Sequence, residues 1–295
     1  MDVRTVEAGG VELAYLAAGE RGPLALCFHG FPDTAHTWRH LLPRLADAGF
    51  RVVAPFTRGY APTPVPADGL YQTGALARDA IGLHEALGGD ADAVLVGHDW
   101  GAVTVYGAAS YAADRFRAVV GMAVPPGGAM AAAFLSDLDQ LQRSWYMFVF
   151  QHPLAEMVLT ANDGAFFERL WAQWSPGYPS EDRAADVERV RRALPEPSHL
   201  QAALGYYRAT LGDGRRDPEL DELQAATGAV PPQPTLYLHG RDDGCVGAEV
   251  AEAARAAAIE TGTDRLTVDI LDGVGHFLHL EQPDPVNDRI IGFVS

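Results

Sequence analysis

An aspartate framed by two glycines is the residue of this chain that is best placed to act as a nucleophile. It is Asp99, the centre of Gly97-His98-Asp99-Trp100-Gly101, which an apolar stretch precedes and a helical pattern follows. This order predicts a sharp turn from strand to helix that presents the central side chain at the edge of a sheet. The glycines let strand and helix approach closely because neither carries a Cβ atom. A carboxylate nucleophile suits attack on a saturated carbon, which leaves an alkyl ester that water then cleaves.

A nucleophile of this kind needs a base, an acid that orients the base, and hydrogen-bond donors for a developing oxyanion. The candidate base is His276, which lies in Gly273-Val274-Gly275-His276-Phe277 just beyond a predicted strand. The candidate acid is Asp243, in a turn after another predicted strand, and the adjacent Asp242 is the alternative. Groups at the carboxyl ends of parallel strands meet at one edge of a sheet, so these distant positions can converge.

The composition of the 295-residue chain excludes several other kinds of chemistry. The formal net charge is −17, and all 22 basic residues are arginines. This acidity argues against a nucleic-acid surface, which is built from clustered basic side chains. The lack of lysine excludes a Schiff-base enzyme and a phosphate-binding loop of the Walker type. The two cysteines, Cys27 and Cys245, form no CxxC pair, so neither a disulfide framework nor a structural zinc site is predicted.

The sequence also predicts no membrane segment. The first residues lack the apolar core of a signal peptide. The longest uncharged run, residues 118–135, is broken in its middle by two prolines and two glycines. We therefore expect a soluble cytoplasmic protein with neither a membrane nor a nucleic acid as partner. No motif predicts its oligomeric state.

Alternating strand and helix patterns predict an α/β fold with a mostly parallel, doubly wound sheet. The strand patterns occupy a hairpin at residues 3–17 and the segments 24–28, 51–54, 93–96, 116–124, 234–238 and 265–271. The helix patterns occupy 37–48, 76–87, 247–259 and the residues after Pro283. From 129 to 228 the chain is helical in period, rich in aromatic residues and broken by prolines. We interpret this stretch as a helical cap inserted between two core parts, residues 1–128 and 229–295.

Three motifs at both ends of the core resemble those of a known family. They are His29-Gly30-Phe31-Pro32-Asp33, Gly97-His98-Asp99-Trp100-Gly101 and Gly275-His276-Phe277. Together they resemble the α/β-hydrolases that use an aspartate nucleophile, the branch of epoxide hydrolases and haloalkane dehalogenases. The resemblance implies the α/β-hydrolase fold, and it implies that the backbone N–H groups of Phe31 and Trp100 form the oxyanion hole.

Two cap segments favour the epoxide hydrolases within this branch. The segment 145–153 is similar to their cap segment in which a tyrosine four residues before a Phe-Gln pair points into the pocket; here it is Tyr146. Tyr206-Tyr207-Arg208 resembles their second tyrosine motif, with Tyr207 in the matching place. Two phenols can bind the ring oxygen of an epoxide and donate a proton to it. A phenol has an ordinary pKa of about 10, so it remains a donor at neutral pH.

These residues together predict an epoxide hydrolase that acts on a small hydrophobic substrate. We expect Asp99 to form a hydroxyalkyl ester with the substrate. His276, which Asp243 orients, then activates a water that hydrolyses this ester to a vicinal diol. This cycle needs neither a metal nor an organic cofactor. The aromatic residues expected to line the substrate pocket are Trp38, Trp145 and Phe277.

Two other functions stay open on the sequence. In a haloalkane dehalogenase the indole N–H of Trp100 would bind the halide. A second donor is then needed, which Phe31 lacks and the cap residue Trp145 can supply. A protein of another class, which binds a small ligand on the same fold without catalysis, would be expected to lack part of the triad of nucleophile, base and acid. The triad residues here are complete.

Overall fold

The fold is built on one sheet, seen in a computed structural model that describes residues 2–295. The strands are β1 (Val3–Ala8), β2 (Val11–Ala18), β3 (Leu24–Phe28), β4 (Arg51–Pro55), β5 (Val94–His98), β6 (Ala118–Met122), β7 (Thr235–Gly240) and β8 (Leu266–Leu271). They form one eight-stranded sheet in the order β1-β2-β4-β3-β5-β6-β7-β8. Strand β2 is antiparallel to its neighbours β1 and β4, and the other neighbouring pairs are parallel. The predicted α/β fold with a mostly parallel sheet is confirmed.

The structure describes thirteen α-helices, several of them short. They are α1 (Leu41–Asp47), α2 (Thr73–Ala86), α3 (Trp100–Tyr111), α4 (Ala129–Ser136), α5 (Leu138–Arg143), α6 (Trp145–Gln151), α7 (Ala155–Trp174), α8 (Ser180–Ala193), α9 (Pro197–Leu211), α10 (Asp221–Ala226), α11 (Ala248–Glu260), α12 (Leu278–Glu281) and α13 (Pro283–Val294). Two 3₁₀ helices span Ala35–His40 and Pro218–Leu220. Helices α4 to α10 lie between β6 and β7, and we call residues 129–226 the helical insertion. Over residues 2–295, no helix is long and apolar enough to cross a membrane.

The central strands are buried on both faces of the sheet. This burial holds in place their carboxyl ends, where the candidate site residues lie. Strands β3, β5 and β6 are buried at every residue. Successive residues of a strand point to opposite faces, so β5 divides its side chains between two hydrophobic clusters. Leu95 packs into the cluster beside α2 and α3, whereas Val94 and Val96 pack into the cluster on the other face. A strand held in this way has little freedom to move its carboxyl end.

The prediction of an α-helix over residues 37–48 is wrong for the first half of that segment. The chain forms the 3₁₀ helix Ala35–His40 there, which the side chain of Thr34 caps by accepting the amide of His36. The α-helix proper begins at Leu41. Pro43 has no N–H to donate to the carbonyl of Arg39, so a continuous α-helix would lack that hydrogen bond. The break therefore follows from one proline.

Two smaller predictions also differ from the structure. The predicted strand 116–124 is shorter, because β6 ends at Met122 and Ala123 adopts a positive φ of 67°. That backbone conformation does not continue a strand. The short helix α12, directly after the candidate base, lies outside every predicted helix.

Candidate active site

Asp99 lies at the turn between β5 and α3 in a strained backbone conformation. Its φ is 55° and its ψ is −120°, which residues with a side chain seldom adopt. A Cβ atom at Gly97 would collide with the carbonyl of Gly101, and one at Gly101 would collide with the carbonyl of Phe28. The glycines therefore permit the close approach of strand and helix, and this packing holds Asp99 in its strained conformation.

The carboxylate of Asp99 is held between a backbone donor and an imidazole. The amide of Phe31 donates to Asp99 Oδ1 at 2.8 Å. Asp99 Oδ2 lies 3.8 Å from His276 Nε2, a gap too long for a direct hydrogen bond. Burial raises the pKa of Asp99, and the charge of His276 and hydrogen bonds from the amides of Phe31 and Trp100 lower it; the net shift is upward. Both amides predicted as oxyanion donors thus act on this carboxylate.

The imidazole of His276 is bonded to Asp243 rather than to Asp242. His276 Nδ1 lies 2.9 Å from Asp243 Oδ2, with both side chains buried. Asp243 Oδ1 accepts the amides of Cys245 at 2.7 Å and Val246 at 2.9 Å, which fix the carboxylate. Asp242, by contrast, is exposed.

Two effects oppose each other on the pKa of His276. Burial lowers it, whereas the charge and hydrogen bond of Asp243 and the charge of Asp99 raise it by more. The net shift is therefore upward, so the two carboxylates favour the imidazolium. His276 Nε2 has no hydrogen-bond partner in the described part of the chain. This nitrogen is free to bind a water or a substrate atom that enters the 3.8 Å gap to Asp99.

The two predicted tyrosines come together from separate helices of the helical insertion. Tyr146 on α6 and Tyr207 on α9 are each 1% exposed, and their ring centroids are 5.8 Å apart. Tyr207 packs edge-on against Trp100, the residue after Asp99, at 5.0 Å. Tyr207 Oη has no partner among residues 2–295, whereas Tyr146 Oη lies 3.4 Å from Cys245 Sγ. Burial raises the pKa of both phenols and the charge of Asp99 raises it further, so both keep their protons.

The three aromatic residues predicted to line a pocket lie in different surroundings. Trp38 is fully buried and stacks on His279 at 5.0 Å. Trp145 is 36% exposed, on the outer side of the helical insertion. Phe277 is fully buried and lies edge-on to His276 at 5.1 Å. Of these three, Phe277 is the one whose ring contacts the candidate base. A role in substrate binding remains a prediction for all three.

Two residues that the sequence did not select, Trp174 and Cys245, also lie in the candidate site. The ring of Trp174, at the end of α7, is 5.0 Å from that of His276 and 4.9 Å from that of Tyr146. Its carbonyl also accepts the amide of His276 at 3.0 Å. Cys245 brings its thiol to Tyr146. The position of Cys245 two residues after Asp243 was a signal in the sequence, whereas nothing local marks Trp174.

Two buried groups of side chains in residues 2–295 bring possible metal-ligand atoms within 4.8 Å of one another: Asp33, His98 and His279; and Asp243, Cys245 and His276. The second group already joins its carboxylate to its imidazole. In the first, burial raises the pKa of Asp33 to about 8, so the carboxyl is protonated at neutral pH. Burial likewise lowers the pKa of the two imidazoles, which keeps them uncharged. Neutral imidazoles can bind a metal ion, so it is the protonated carboxyl of Asp33 that makes this group poorly suited to a cation.

Comparison with known proteins places these residues in a family context. Residues 23–283 match the family described as alpha/beta hydrolase fold. Epoxide hydrolase A of Mycobacterium tuberculosis is 32% identical, over 99% of this chain and 97% of that protein. An epoxide hydrolase of Caballeronia sordidicola is 30% identical, over 98% of this chain and 92% of that protein. The crystal structure of epoxide hydrolase A from Mycobacterium thermoresistibile has a TM-score of 0.76 and 29% identity, and the match covers 99% of this chain and 97% of that one.

Proposed function

Because this chain belongs to the α/β-hydrolase family and is epoxide hydrolase-like over 99% of its length, we propose that it hydrolyses a hydrophobic epoxide to a vicinal diol. The observation that carries the proposal is the arrangement of Asp99, His276 and Asp243 beside two buried phenols. A carboxylate supplies the nucleophile, an oriented imidazole supplies the base, and the phenols supply protons.

The first step is ring opening. Asp99 Oδ1 already accepts the amide of Phe31, so Oδ2 is the oxygen that attacks the ring carbon. A bond forms between Oδ2 and that carbon while the ring C–O bond breaks. The ring oxygen leaves with the electron pair and takes a proton from Tyr146 or Tyr207. The raised pKa of both phenols keeps that proton in place until the alkoxide develops.

The second step is hydrolysis of the ester. A water in the gap between His276 Nε2 and the ester gives a proton to the imidazole and adds its oxygen to Asp99 Cγ. The negative charge then falls on Oδ1, where the amides of Phe31 and Trp100 stabilise it. The imidazolium protonates the departing diol oxygen, and the second proton of the water restores the phenol. The diol therefore keeps one oxygen of the original carboxylate.

The surroundings of the reacting atoms favour a hydrophobic substrate. The carboxylate and the phenols lie among the aromatic side chains Phe31, Trp100, Phe150 and Trp174. An apolar epoxide gains free energy by leaving water for such surroundings. A charged substrate would lose its hydration on entering such surroundings, which costs free energy.

The covalent step is tested by trapping the ester. We expect His276→Gln to form the ester with styrene oxide but not to hydrolyse it. The peptide that contains Asp99 should then gain the full mass of the epoxide in a mass spectrum. His84→Gln is the matched control, because His84 is a buried histidine of α2 that bonds the carbonyl of Asp90. It should form diol and accumulate no adduct. An unmodified Asp99 peptide in His276→Gln would contradict the ester.

Isotope labelling distinguishes the ester from direct attack of water on the epoxide. In a single turnover in ¹⁸O-labelled water, the ester route puts the label into the carboxylate of Asp99 and leaves the diol unlabelled. Direct attack by an imidazole-activated water would put the label into the diol. Labelled diol in the first turnover would therefore contradict Asp99 as the nucleophile.

The other candidate functions appear as distinct outcomes of the same assays. Trp100 Nε1 is buried and has no partner over residues 2–295, which leaves an indole donor for a halide. A haloalkane dehalogenase would release bromide from a primary bromoalkane and make no diol from an epoxide. A protein that only binds its ligand would bind styrene oxide without releasing either product. Diol without halide release supports the proposal.

A further inference from the structure

Cys245 connects the triad acid to the helical insertion by three separate contacts. Its amide donates to Asp243 Oδ1 at 2.7 Å, and its carbonyl accepts Gln140 Nε2 at 2.9 Å. Its thiol lies 3.4 Å from the hydroxyl oxygen of Tyr146. The first two contacts are made by the backbone and need no particular side chain. The third is the one that depends on the cysteine.

We propose that the thiol of Cys245 is a positioning group for Tyr146 during ring opening. It donates its S–H to Tyr146 Oη and thereby leaves the proton of the phenol to point at the epoxide oxygen. The proposal rests on the proposed function, because it assigns Tyr146 as a proton donor to an epoxide. Cys245 touches the tyrosine and not the substrate, so it acts through Tyr146.

The direction of this hydrogen bond follows from the chemistry. A phenol has one proton, and in the reactive complex that proton goes to the ring oxygen. The thiol must then be the donor in its contact with Tyr146 Oη. As the ring C–O bond breaks and the alkoxide takes the phenol proton, a phenolate forms beside the thiol. Cys245 keeps its own proton and stabilises this phenolate until the water of the second step restores the phenol.

The surroundings of Cys245 keep the thiol protonated. Cys245 is 2% exposed, and burial together with the charges of Asp243 and Asp99 raises its pKa well above the ordinary value, although the hydrogen bond with Tyr146 and the charge of Arg143 lower it. Two consequences follow for a residue beside an electrophile. The S–H donor is present throughout the pH range of an enzyme assay, and the thiolate that would compete with Asp99 for the epoxide is scarce.

The ring of Tyr146 is fixed on its other sides by aromatic contacts. Its centroid lies 5.4 Å from that of Phe150 and 4.9 Å from that of Trp174. These contacts set the plane of the ring, and neither ring donates a hydrogen bond to the hydroxyl in the described chain. The neighbouring Tyr207 has no partner for its hydroxyl in the described chain. The two phenols therefore differ, since the hydroxyl of Tyr146 has the thiol of Cys245 as its neighbour.

The test separates ring opening from ester hydrolysis. Rapid-quench mass spectrometry with styrene oxide measures the rate at which the Asp99 ester forms and the rate at which it disappears. We expect Cys245→Ala to slow ester formation by about 3- to 10-fold, the effect of one weak hydrogen bond, and to leave ester hydrolysis unchanged. We expect Cys245→Ser, which keeps a donor, to recover part of the loss.

Cys27→Ala is the matched control for the loss of a buried sulfur. Cys27 is the other cysteine, fully buried in β3 within the hydrophobic core. Both alanine variants remove the same atom, so both lower the melting temperature, but Cys27→Ala should leave both rates as in the wild type. In a Tyr146→Phe background, Cys245→Ala should have no further effect on ester formation, because the group through which it acts is gone.

Several results would overturn the inference. They are equal rates in the wild type and Cys245→Ala, equal slowing of both steps, and an undiminished effect of Cys245→Ala in the Tyr146→Phe background. A wild-type chain that forms neither ester nor diol from any epoxide would overturn the proposed function, and this inference with it. An active wild type whose rates do not depend on Cys245 would overturn the inference alone.

Discussion

Two buried polar regions of this molecule differ in whether their hydrogen-bonding groups have partners within the protein. Around Arg58, which is fully buried, Nε and Nη2 donate to the two oxygens of Asp79 at 2.7 and 2.6 Å. Arg58 Nη1 donates to the carbonyl of Leu70 at 2.6 Å. Around Asp99, by contrast, His276 Nε2 makes no hydrogen bond to any described residue. The first region is satisfied within the protein, whereas the second leaves buried groups for a ligand to complete.

Helix α9 joins the two regions through adjacent tyrosines. Tyr206 Oη donates to the carbonyl of Arg58 at 2.7 Å, whereas Tyr207 Oη has no partner in residues 2–295. Successive residues of a helix point about 100° apart, so one tyrosine faces each region. A tyrosine therefore stabilises the fold at position 206, whereas the tyrosine at position 207 is a candidate proton donor. This difference predicts which substitutions affect stability and which affect catalysis.

The largest expected effect is that of Asp99→Ala. Loss of the proposed nucleophile should lower the rate of diol formation by about 10⁴-fold or more, because the ester of the first step can no longer form on this residue. The free energy of unfolding should change little, since the variant removes a buried charge whose pKa burial already raises. Diol formation and chemical unfolding measure the two effects. Activity within tenfold of the wild type would contradict the assignment of Asp99 as the nucleophile.

The next largest effect is that of Asp79→Ala, and it should be on stability. The variant removes the two short hydrogen bonds of Arg58 to Asp79 and leaves the buried guanidinium with the partly exposed Asp68 as its remaining charge partner, which costs about 3 kcal/mol in the free energy of unfolding. The activity of the molecules that remain folded should stay within tenfold of the wild type. Glu188→Ala is the control, because it breaks the exposed pair of Glu188 and Arg192 and should cost less than about 1 kcal/mol. Equal costs for the two variants would contradict the comparison.

The two tyrosines of α9 give a third, smaller contrast. Tyr207→Phe should slow ring opening by about 10²-fold, the lower end of the range for a general acid. It should leave stability unchanged or slightly higher, since it removes a buried hydroxyl without a partner. Tyr206→Phe should instead cost about 1 kcal/mol in stability and leave the rate of ring opening nearly unchanged. Ester formation and thermal melting distinguish the two, and a reversal of the pattern would show that Tyr206 is the donor.

Much of the fold could be predicted because the central strands have a simple pattern. The segments 24–28 and 93–96 are continuous apolar runs, and they form β3 and most of β5. Such runs are typical of parallel strands that are buried on both faces. The resemblance to α/β-hydrolases, which rested on three short motifs, is confirmed by similarity over nearly the whole chain. The helix at 37–48 was misjudged because apolar spacing was given more weight than Pro43.

The sequence could propose the residues of the candidate site but not the contacts between them. The motifs select Asp99 and His276 from the sequence, whereas the 3.8 Å between them depends on how β5 and β8 pack in the sheet. The choice between Asp242 and Asp243 rests on which side chain turns inward, and the turn geometry decides this. The contact of Cys245 with Tyr146 depends on how the helical insertion lies on the core, which no local pattern encodes.

The pH dependence of the two regions should differ in direct measurements. The net upward shift of the His276 pKa means that the imidazolium persists above its ordinary pKa of about 6.5. In the ester Asp99 carries no charge, so the charge and the hydrogen bond of Asp243 are what raise the pKa of His276 there. A general base must be neutral, so ester hydrolysis should accelerate as the pH rises through that pKa. In Asp243→Asn the charge that raises the pKa is lost. The acid limb of the hydrolysis rate should then move to lower pH, and the maximal rate should fall.

The upward shift of the His276 pKa also makes the free energy of unfolding depend on pH, whereas the Arg58 region contributes no such dependence. Since the folded pKa of His276 exceeds the unfolded one, protonation of this residue stabilises the fold fully below the unfolded pKa, and the stabilisation is lost as the pH rises through the folded pKa. Arg58 stays charged over the same range, because Asp79 raises its pKa further although burial lowers it. Chemical unfolding at pH values rising from about 6.5 should therefore show a stability loss in the wild type that Asp243→Asn reduces and Asp79→Ala retains. A loss of equal size in all three proteins would assign it to other groups and contradict the shifted imidazole.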